Sequence, residues 1–459
     1  MKTMTTVKDA HLLLLRLLLL VLIFFSRDVL ALATPSNQTR PAVTSLKLAR
    51  IQRHLEKINK AGVRSIESPD GDTIDCVPRH RQPALDHPLL KDHKIQVRAA
   101  SDRDIIISIL CFFFFSFFLL FQRAAERPKA ASSGGSAASR RAWQAWHHAG
   151  HCPRGTVPIR RSRVDDALRA KSLFHFGKKP AAPPLARRAD APDVVSGNGH
   201  EHAIAYTDTV DGNGEFYGAK ATINVWDPSV QGNNEFSLSQ IWILSGSFDG
   251  SDLNSIEAGW QVSPELYGDS RPRLFTYWTN DAYQATGCYN LLCSGFVQTN
   301  NKIAIGASIF PVSSFNGSQY DITILIWKDP KLGNWWMGLG DGALVGYWPA
   351  ELFSHLSEHA TMVEWGGEVV NLRPDGAHTA TQMGSGGFAA AGFARASYFR
   401  NLEVVDADNT LASAGAVATL AENSNCYDIR SFAGDDDDAH DGWGTHFYFG
   451  GPGNGPRCP

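Results

Sequence analysis

From about residue 200 onward, short segments rich in Val, Ile, Thr, Tyr, Phe and Trp alternate with clusters of Gly, Asn and Asp. The pattern predicts strands over 203–210, 216–226, 236–245, 255–262, 274–278, 295–298, 320–327, 335–339, 362–370, 396–405 and 444–450. Closely spaced strands without long helices predict an all-β fold, an antiparallel β-sandwich or barrel. No repeat of fixed period is present. In 255–262, Ile256, Ala258, Trp260 and Val262 face one way, and Glu257, Gly259 and Gln261 the other. In 362–370, Val363, Trp365 and Val369 share one face, and Glu364, Gly366 and Glu368 the other. Each strand thus turns Glu away from its apolar set, beside a Gly that lets another backbone approach. A solvated outer face would give the same pattern.

The front of the chain reads differently. Leu46, Leu48, Ile51, Leu55 and Ile58 recur near helical spacing and predict a helix over 46–60. Further short helices are expected over 165–174 and 349–359. The Ala/Ser/Gly-rich stretch 128–140 and the Pro-rich stretch 180–184 read as linkers. Arg187-Arg188 makes the second an exposed dibasic site for proteolytic nicking. At the N-terminus, Lys2, Lys8 and Arg16 precede a short apolar stretch, and Ala31 and Ala33 supply a cleavage pattern. Residues 1–33 are therefore expected to be a signal peptide, and the protein secreted to an extracellular, apoplastic or vacuolar compartment. The run 105–121 has 17 residues, with six Phe between Phe112 and Phe118. That sits at the lower limit for a spanning helix. A retained intron over 102–121 explains its composition best, because pyrimidine-rich codons encode Phe, Ser and Leu. A membrane helix and a buried pro-segment are the other two readings.

Charge is unevenly placed. The whole chain carries 43 Lys and Arg against 46 Asp and Glu, which excludes a general nucleic-acid binder. Residues 198–459 hold about 11 basic against about 30 acidic side chains, and 34–197 come out near +14. A basic front half is expected to cover an acidic back half. Seven cysteines suit a secreted protein with one thiol left over. Cys288 with Cys293, Cys426 with Cys458, and Cys76 with Cys152 are the expected disulfides, leaving Cys111 inside the odd apolar run. Asn37 and Asn316 begin glycosylation sequons.

Hydrolase and nucleotide signatures are absent: there is no G-x-S-x-G elbow, P-loop, H-E-x-x-H or EF-hand loop. His355-Leu356-Ser357-Glu358-His359 has the H-x-x-E-H spacing, which on a helix would turn two imidazoles to one zinc. No third ligand stands out, and no metal or other cofactor is expected. His200-Glu201-His202 and His147-His148 read as surface histidines. The carboxylates Glu257, Glu368 and Glu364 are the remaining candidates.

Several motifs carry a resemblance. In the front half they include Ile66-Glu67-Ser68-Pro69-Asp70-Gly71-Asp72, Ile74-Asp75-Cys76-Val77 and CPRGTVPIRR at 152–161. In the back half they include EAGWQVSP at 257–264, TGCYNLLCS at 286–294, Gly346-Tyr347-Trp348-Pro349, WGGEV at 365–369 and TQMGSG at 381–386. The chain resembles the neprosin family, plant secreted proteins with an activation peptide followed by a neprosin domain. The resemblance implies a two-sheet antiparallel β-sandwich over 194–459, jelly-roll-like, behind a smaller mixed pro-domain over 34–193. It implies a glutamic endopeptidase that cleaves after proline under acidic conditions. The two catalytic glutamates map to Glu257 and Glu368, with Glu364 the local competitor. Trp260, Trp365 and Tyr347 are the candidates for an aromatic pocket that takes proline. The expected partners are proline-containing peptides or proteins and the pro-domain itself, as intramolecular inhibitor of a monomer. Two alternatives are a carbohydrate-binding module, with Trp and Tyr stacking on cell-wall glycans, and an inactive peptidase-like protein. The 102–121 run, the 130–140 linker and Asp435–Asp438 depart from the family pattern.

Overall fold

The computed structural model describes residues 44–96, 124–130, 140–179, 199–207, 214–247, 252–373, 377–432 and 442–459. The expected signal peptide, Asn37, the 102–121 run, Arg187-Arg188 and Asp435–Asp438 lie outside the described residues. Two compact units are present, Met1–Ala49 and Arg50–Pro459, and every strand belongs to the second.

Two sheets, antiparallel but for two short parallel pairings at Arg140–Arg141 and Lys129–Ala130, form the body. One has six strands in the order Arg273–Thr279, Asn254–Val262, Phe236–Ser245, Met362–Val370, His200–Tyr206 and Ala418–Ala421. The other has eleven, with Tyr320–Lys328, Gly218–Asn224 and Ser397–Val405 at its centre. Ile241, Ile256, Ala258, Trp260, Val363 and Trp365 of the first pack in one buried cluster with Ala221, Ile223, Ile324, Met337 and Phe399 of the second. These are the apolar faces read from alternation, so the sandwich follows from the burial of two stripes of period two. All three expected disulfides are present: Cys76–Cys152, Cys288–Cys293 and Cys426–Cys458. Among the described residues no helix is long and apolar enough to cross a membrane.

The front region is mixed. Ser45–Ile58 is the expected helix, and its Ile51 and Leu55 pack against Ala167 and Phe176. Arg64–Glu67, Thr73–Pro78 and Thr156–Arg160 form a separate three-stranded sheet. The short helix is found at Val164–Arg169. This region lies against the sandwich through buried polar pairs. Arg273 donates to Asp72 at 2.5 Å, and the Gln96 amide to Asp329 at 2.6 Å. The Asp72 pair runs against the expected polarity, whereas Arg141 with Asp341 and Lys179 with Glu257 run with it.

The helix expected over 349–359 is not formed. A 3-10 turn at Ala350–Leu352 is followed by turns. The Asn254 carboxamide oxygen accepts from the backbone N–H of His355 at 2.8 Å and of Leu356 at 3.2 Å, which draws those groups away from helical pairing. His355 Nε2 instead meets Asp252 at 2.9 Å, while the His359 ring lies near Tyr217, 6.1 Å between centroids. Without a helix, the spacing of His355 and His359 does not turn their rings to one zinc.

Candidate active site

The face of the six-stranded sheet turned away from the sandwich core carries Glu257, Glu364 and Glu368. None is solvated: their relative exposures are 0%, 2% and 2%. They are covered by a second cluster that contains Leu238, Trp242, Phe275, Tyr277, Tyr283 and Tyr289.

Strand register sets the geometry. Glu257 lies opposite Trp242, and Glu368 opposite Leu238 on the other side of the same strand. Between those two levels sits Gln240, flanked in register by Gly259 and Gly366. A Cβ at Gly259 would fall 1.9 Å from the Ser239 carbonyl oxygen, so only glycine fits there. The floor between the carboxyls therefore carries the Gln240 side chain alone. Its Nε2 donates to Glu257 Oε2 at 3.0 Å, and its buried Oε1 has no partner among the described residues.

Glu257 receives more. Ser255 Oγ and Tyr283 OH donate to Oε1 at 2.9 and 2.8 Å. Tyr283 has φ +64°, in the left-handed region that a bulky residue rarely adopts. Asp281 anchors this loop by accepting from the backbone N–H groups of Ala285 and Thr286 at 2.9 and 3.0 Å. Glu368 Oε1 meets His200 Nδ1 at 2.6 Å and lies 3.9 Å from His202 Nε2.

One ammonium joins the two glutamates. Lys179 Nζ is 2.6 Å from Glu257 Oε2 and 3.4 Å from Glu368 Oε2. Its chain segment docks ahead of it: Gly177 C=O accepts from Tyr289 N–H at 2.7 Å, and Lys179 N–H donates to Tyr277 OH at 3.3 Å. Gly177 has φ +77°, and a Cβ there would meet Leu292 at 2.8 Å. Tyr289 and Leu292 are held by the small Cys288–Cys293 loop. Burial alone would lower the Lys179 pKa, but Glu257 and Glu368 outweigh it and hold the ammonium above its ordinary value. Burial would raise the Glu368 pKa. Lys179, then His200 and His202, outweigh that and hold the carboxyl well below the usual range.

Two sequence candidates thus meet at one point, Glu257 and Glu368. Glu364 sits at the level of Glu257, on the other side of the Trp242 strand, and pairs in register with Tyr206. The three aromatic candidates are placed elsewhere. Trp260 and Trp365 point into the core between the sheets, with Trp260 Nε1 donating to Asn224 C=O at 2.9 Å. Tyr347 belongs to the other sheet, where its OH accepts from Gln96 N–H at 2.8 Å. Parity explains the first two: odd–even alternation separates Trp365 from Glu368 and Trp260 from Glu257 by one face. Tyr277, Tyr283, Tyr289 and Trp242 are the aromatic residues on the carboxyl face. Tyr277 was legible as the neighbour of Glu257 on an adjoining alternating strand; Tyr283 and Tyr289 lie in loops that alternation does not reach. Eleven of the twelve Trp are buried in the full chain, Trp327 and Trp336 beneath Glu126 and Gln96 of the front region. Asn316 is exposed in a turn, with φ +53°.

The neprosin profile matches residues 233–452, and the neprosin activation peptide profile matches 65–206. The chain belongs to the neprosin family. It is a glutamic peptidase that carries an activation peptide ahead of its catalytic domain. Solved structures similar to it include scytalido-glutamic peptidase with a transition-state analog inhibitor, at 14% identity over 55% of this chain and 97% of that one, TM-score 0.30. Another is SCP-B of the Eqolisin family in complex with the tripeptide Ala-Ile-His, at 12% identity over 55% and 97%, TM-score 0.28.

Proposed function

We propose that the protein is a secreted endopeptidase made as a zymogen, in which Glu257 and Glu368 form the dyad that activates water. Its substrates are proline-containing peptides or proteins, cut after proline at acid pH. The observation that carries this is the convergence of two buried carboxyls on a single ammonium from the activation segment. Two carboxylates that close repel when both are ionised, so without Lys179 they favour sharing one proton, an acid beside a base.

The chemistry then follows from the groups at hand. Glu368 takes a proton from water as its oxygen bonds to the scissile carbonyl carbon. Glu257 gives its proton to the carbonyl oxygen. The tetrahedral intermediate collapses, its C–N bond breaks, and Glu368 passes its proton to the leaving nitrogen. The second hydroxyl proton of the intermediate returns to Glu257, which restores the starting state. Gln240, through an Oε1 that has no partner among the described residues, would accept from the attacking water. Proline suits a site whose cover is Tyr277, Tyr283 and Tyr289, since rings pack flat against a pyrrolidine.

Lys179 makes the same site latent. It occupies the space between the carboxyls where water and the carbonyl must lie. It also neutralises both carboxylates, which removes the reason to share a proton. Acid weakens this contact only as pH falls toward the depressed pKa of Glu368, because Lys179 stays charged throughout.

Digestion of a mixed peptide library between pH 3 and pH 7, with the cut sites read by mass spectrometry, tests the reading. Cleavage C-terminal to proline, increasing toward acid pH, is expected. Cleavage with no proline preference, or a rate flat from pH 3 to pH 7, contradicts it.

A further inference from the structure

The sequence motif His200-Glu201-His202 takes no part in the proton transfers of the dyad. Its alternation splits it between two faces. Glu201 points away and pairs with His378 Nε2 at 3.2 Å, whereas His200 and His202 point to the carboxyl face. Both are buried, at 6% and 4% exposure.

Register places them beside one glutamate only. His202 lies directly opposite Glu368, and Val370 opposite His200. The next strand, Ala418–Ala421, brings Glu422 to the other side of His202: Ala421 pairs with Ala203, and Glu422 N–H donates to His202 C=O at 3.1 Å. Glu422 Oε2 accepts from both His202 N–H and His202 Nδ1, each at 2.8 Å. Glu422, His202 and Glu368 thus form one row across three strands.

The direction of the hydrogen bonds distinguishes the two glutamates. With Nδ1–H given to Glu422, His202 Nε2 faces Glu368. A bare nitrogen there would oppose a carboxylate lone pair, so the arrangement favours a proton on Nε2 and none on Glu368. Glu257 differs, because its Oε1 partners are the hydroxyls of Ser255 and Tyr283, which can accept as well as donate. A proton on Glu257 therefore finds acceptors. Both histidines address Glu368 Oε1, which leaves Oε2 as the atom that faces the cleft once Lys179 departs.

We propose that His200 and His202, the latter anchored by Glu422, are positioning residues that hold Glu368 as the water-activating base and leave Glu257 to carry the proton. This rests on the dyad reading above. The charged and titratable groups that face Glu368 are Lys179 from the activation segment, Glu257 and Tyr289 from the neighbouring strand and loop, and the two histidines. Those that face His202 are Glu422, Glu368, Lys179 and His200, whose ring stacks on it at 6.4 Å between centroids. Burial opposes a charge on His202, but Glu422 and then Glu368 outweigh it and raise its pKa.

The test starts on the intact chain, labelled with 13C at the glutamate side-chain carboxyl. NMR follows the Glu368 signal, assigned by its loss in Glu368→Gln. His202→Gln is expected to raise the Glu368 midpoint by about one pH unit. Glu422→Gln should lower the His202 midpoint by a similar amount, and Glu422→Asp should restore it. In peptide cleavage, His202→Gln should shift the acid limb of kcat/KM to higher pH by about one unit, so that the rate at the wild-type midpoint falls roughly fivefold. KM should change little. A Glu368 midpoint unmoved in His202→Gln, with a His202 midpoint unmoved in Glu422→Gln, overturns the inference. If His202→Gln does not fold, by circular dichroism, the Glu422→Gln midpoint alone decides. Wild-type cleavage by Glu257→Gln or Glu368→Gln would instead remove the dyad reading, whatever the NMR shows.

Discussion

Replacing Lys179 with methionine should release latency. The side chain is nearly isosteric, so the variant removes the charge and keeps most of the volume. Lys179 Nζ contacts Glu257 and Glu368 at 2.6 and 3.4 Å in a site closed to solvent. Breaking such a pair by deleting one partner costs about 3–5 kcal/mol, because the other charge stays buried and unpaired. At 1.4 kcal/mol per factor of ten, the closed state weakens by roughly two to three and a half decades. The penalty is largest near neutral pH, where both carboxylates would be ionised without a counter-charge. Wild type follows the opposite course. The Glu368 pKa lies well below the ordinary glutamate value of 4.5, so its contribution to the closed state is complete above that value and is lost as pH falls through the depressed one. Lys179 has a raised pKa, so it stays charged throughout and adds no pH dependence below its ordinary value of 10.5. The assay is a fluorogenic proline peptide added to full-length protein that has never seen acid, at pH 4 and pH 6.5. Wild type should show a lag at pH 4 and almost no rate at pH 6.5. Lys179→Met should lose the lag and gain at least tenfold in initial rate at pH 6.5. A variant with the same lag and the same latency would refute the argument that this ion pair closes the site.

Other expectations concern single side chains. Tyr283→Phe removes one hydrogen bond to Glu257 and should lower kcat/KM about 5–30-fold, with little change in Tm, from the ~1–2 kcal/mol of such a bond. Trp365→Phe and Trp260→Phe lie in the core and should cost about 1–3 kcal/mol of stability, read by denaturant titration, without moving KM for a proline peptide. A rise in KM in either would restore them as pocket residues.

Sequence pattern carried the sandwich because its core is built on two clean alternations. The strands at Phe236–Ser245 and Met362–Val370 fall where the pattern puts them. Ala418–Ala421 and Asp428–Phe432 escaped, since they are short, half-exposed and have no steady alternation. Missing the first of these hid Glu422, whose place beside His202 depends on that strand. Glu257 and Glu368 were legible as carboxylates turned away from the apolar set, but their burial was not. It depends on Tyr283, Tyr289 and Lys179, which reach the site from loops and from a distant part of the chain. Trp260 and Trp365 are aromatic candidates for the pocket in the sequence, but the strand period of two puts them on the face opposite Glu257 and Glu368. A hydrogen bond from the Asn254 side chain, remote in sequence, undid the helix expected around His355.

The most direct measurement of the central claim is cleavage of a proline peptide at pH 4 by Glu257→Gln and Glu368→Gln, each shown to be folded by circular dichroism. Glutamine keeps the shape and loses the exchangeable proton. Both variants should fall by at least a thousandfold, and the double variant little further, because the two carboxyls act as one unit. Substantial cleavage by either single variant would contradict a Glu257–Glu368 dyad.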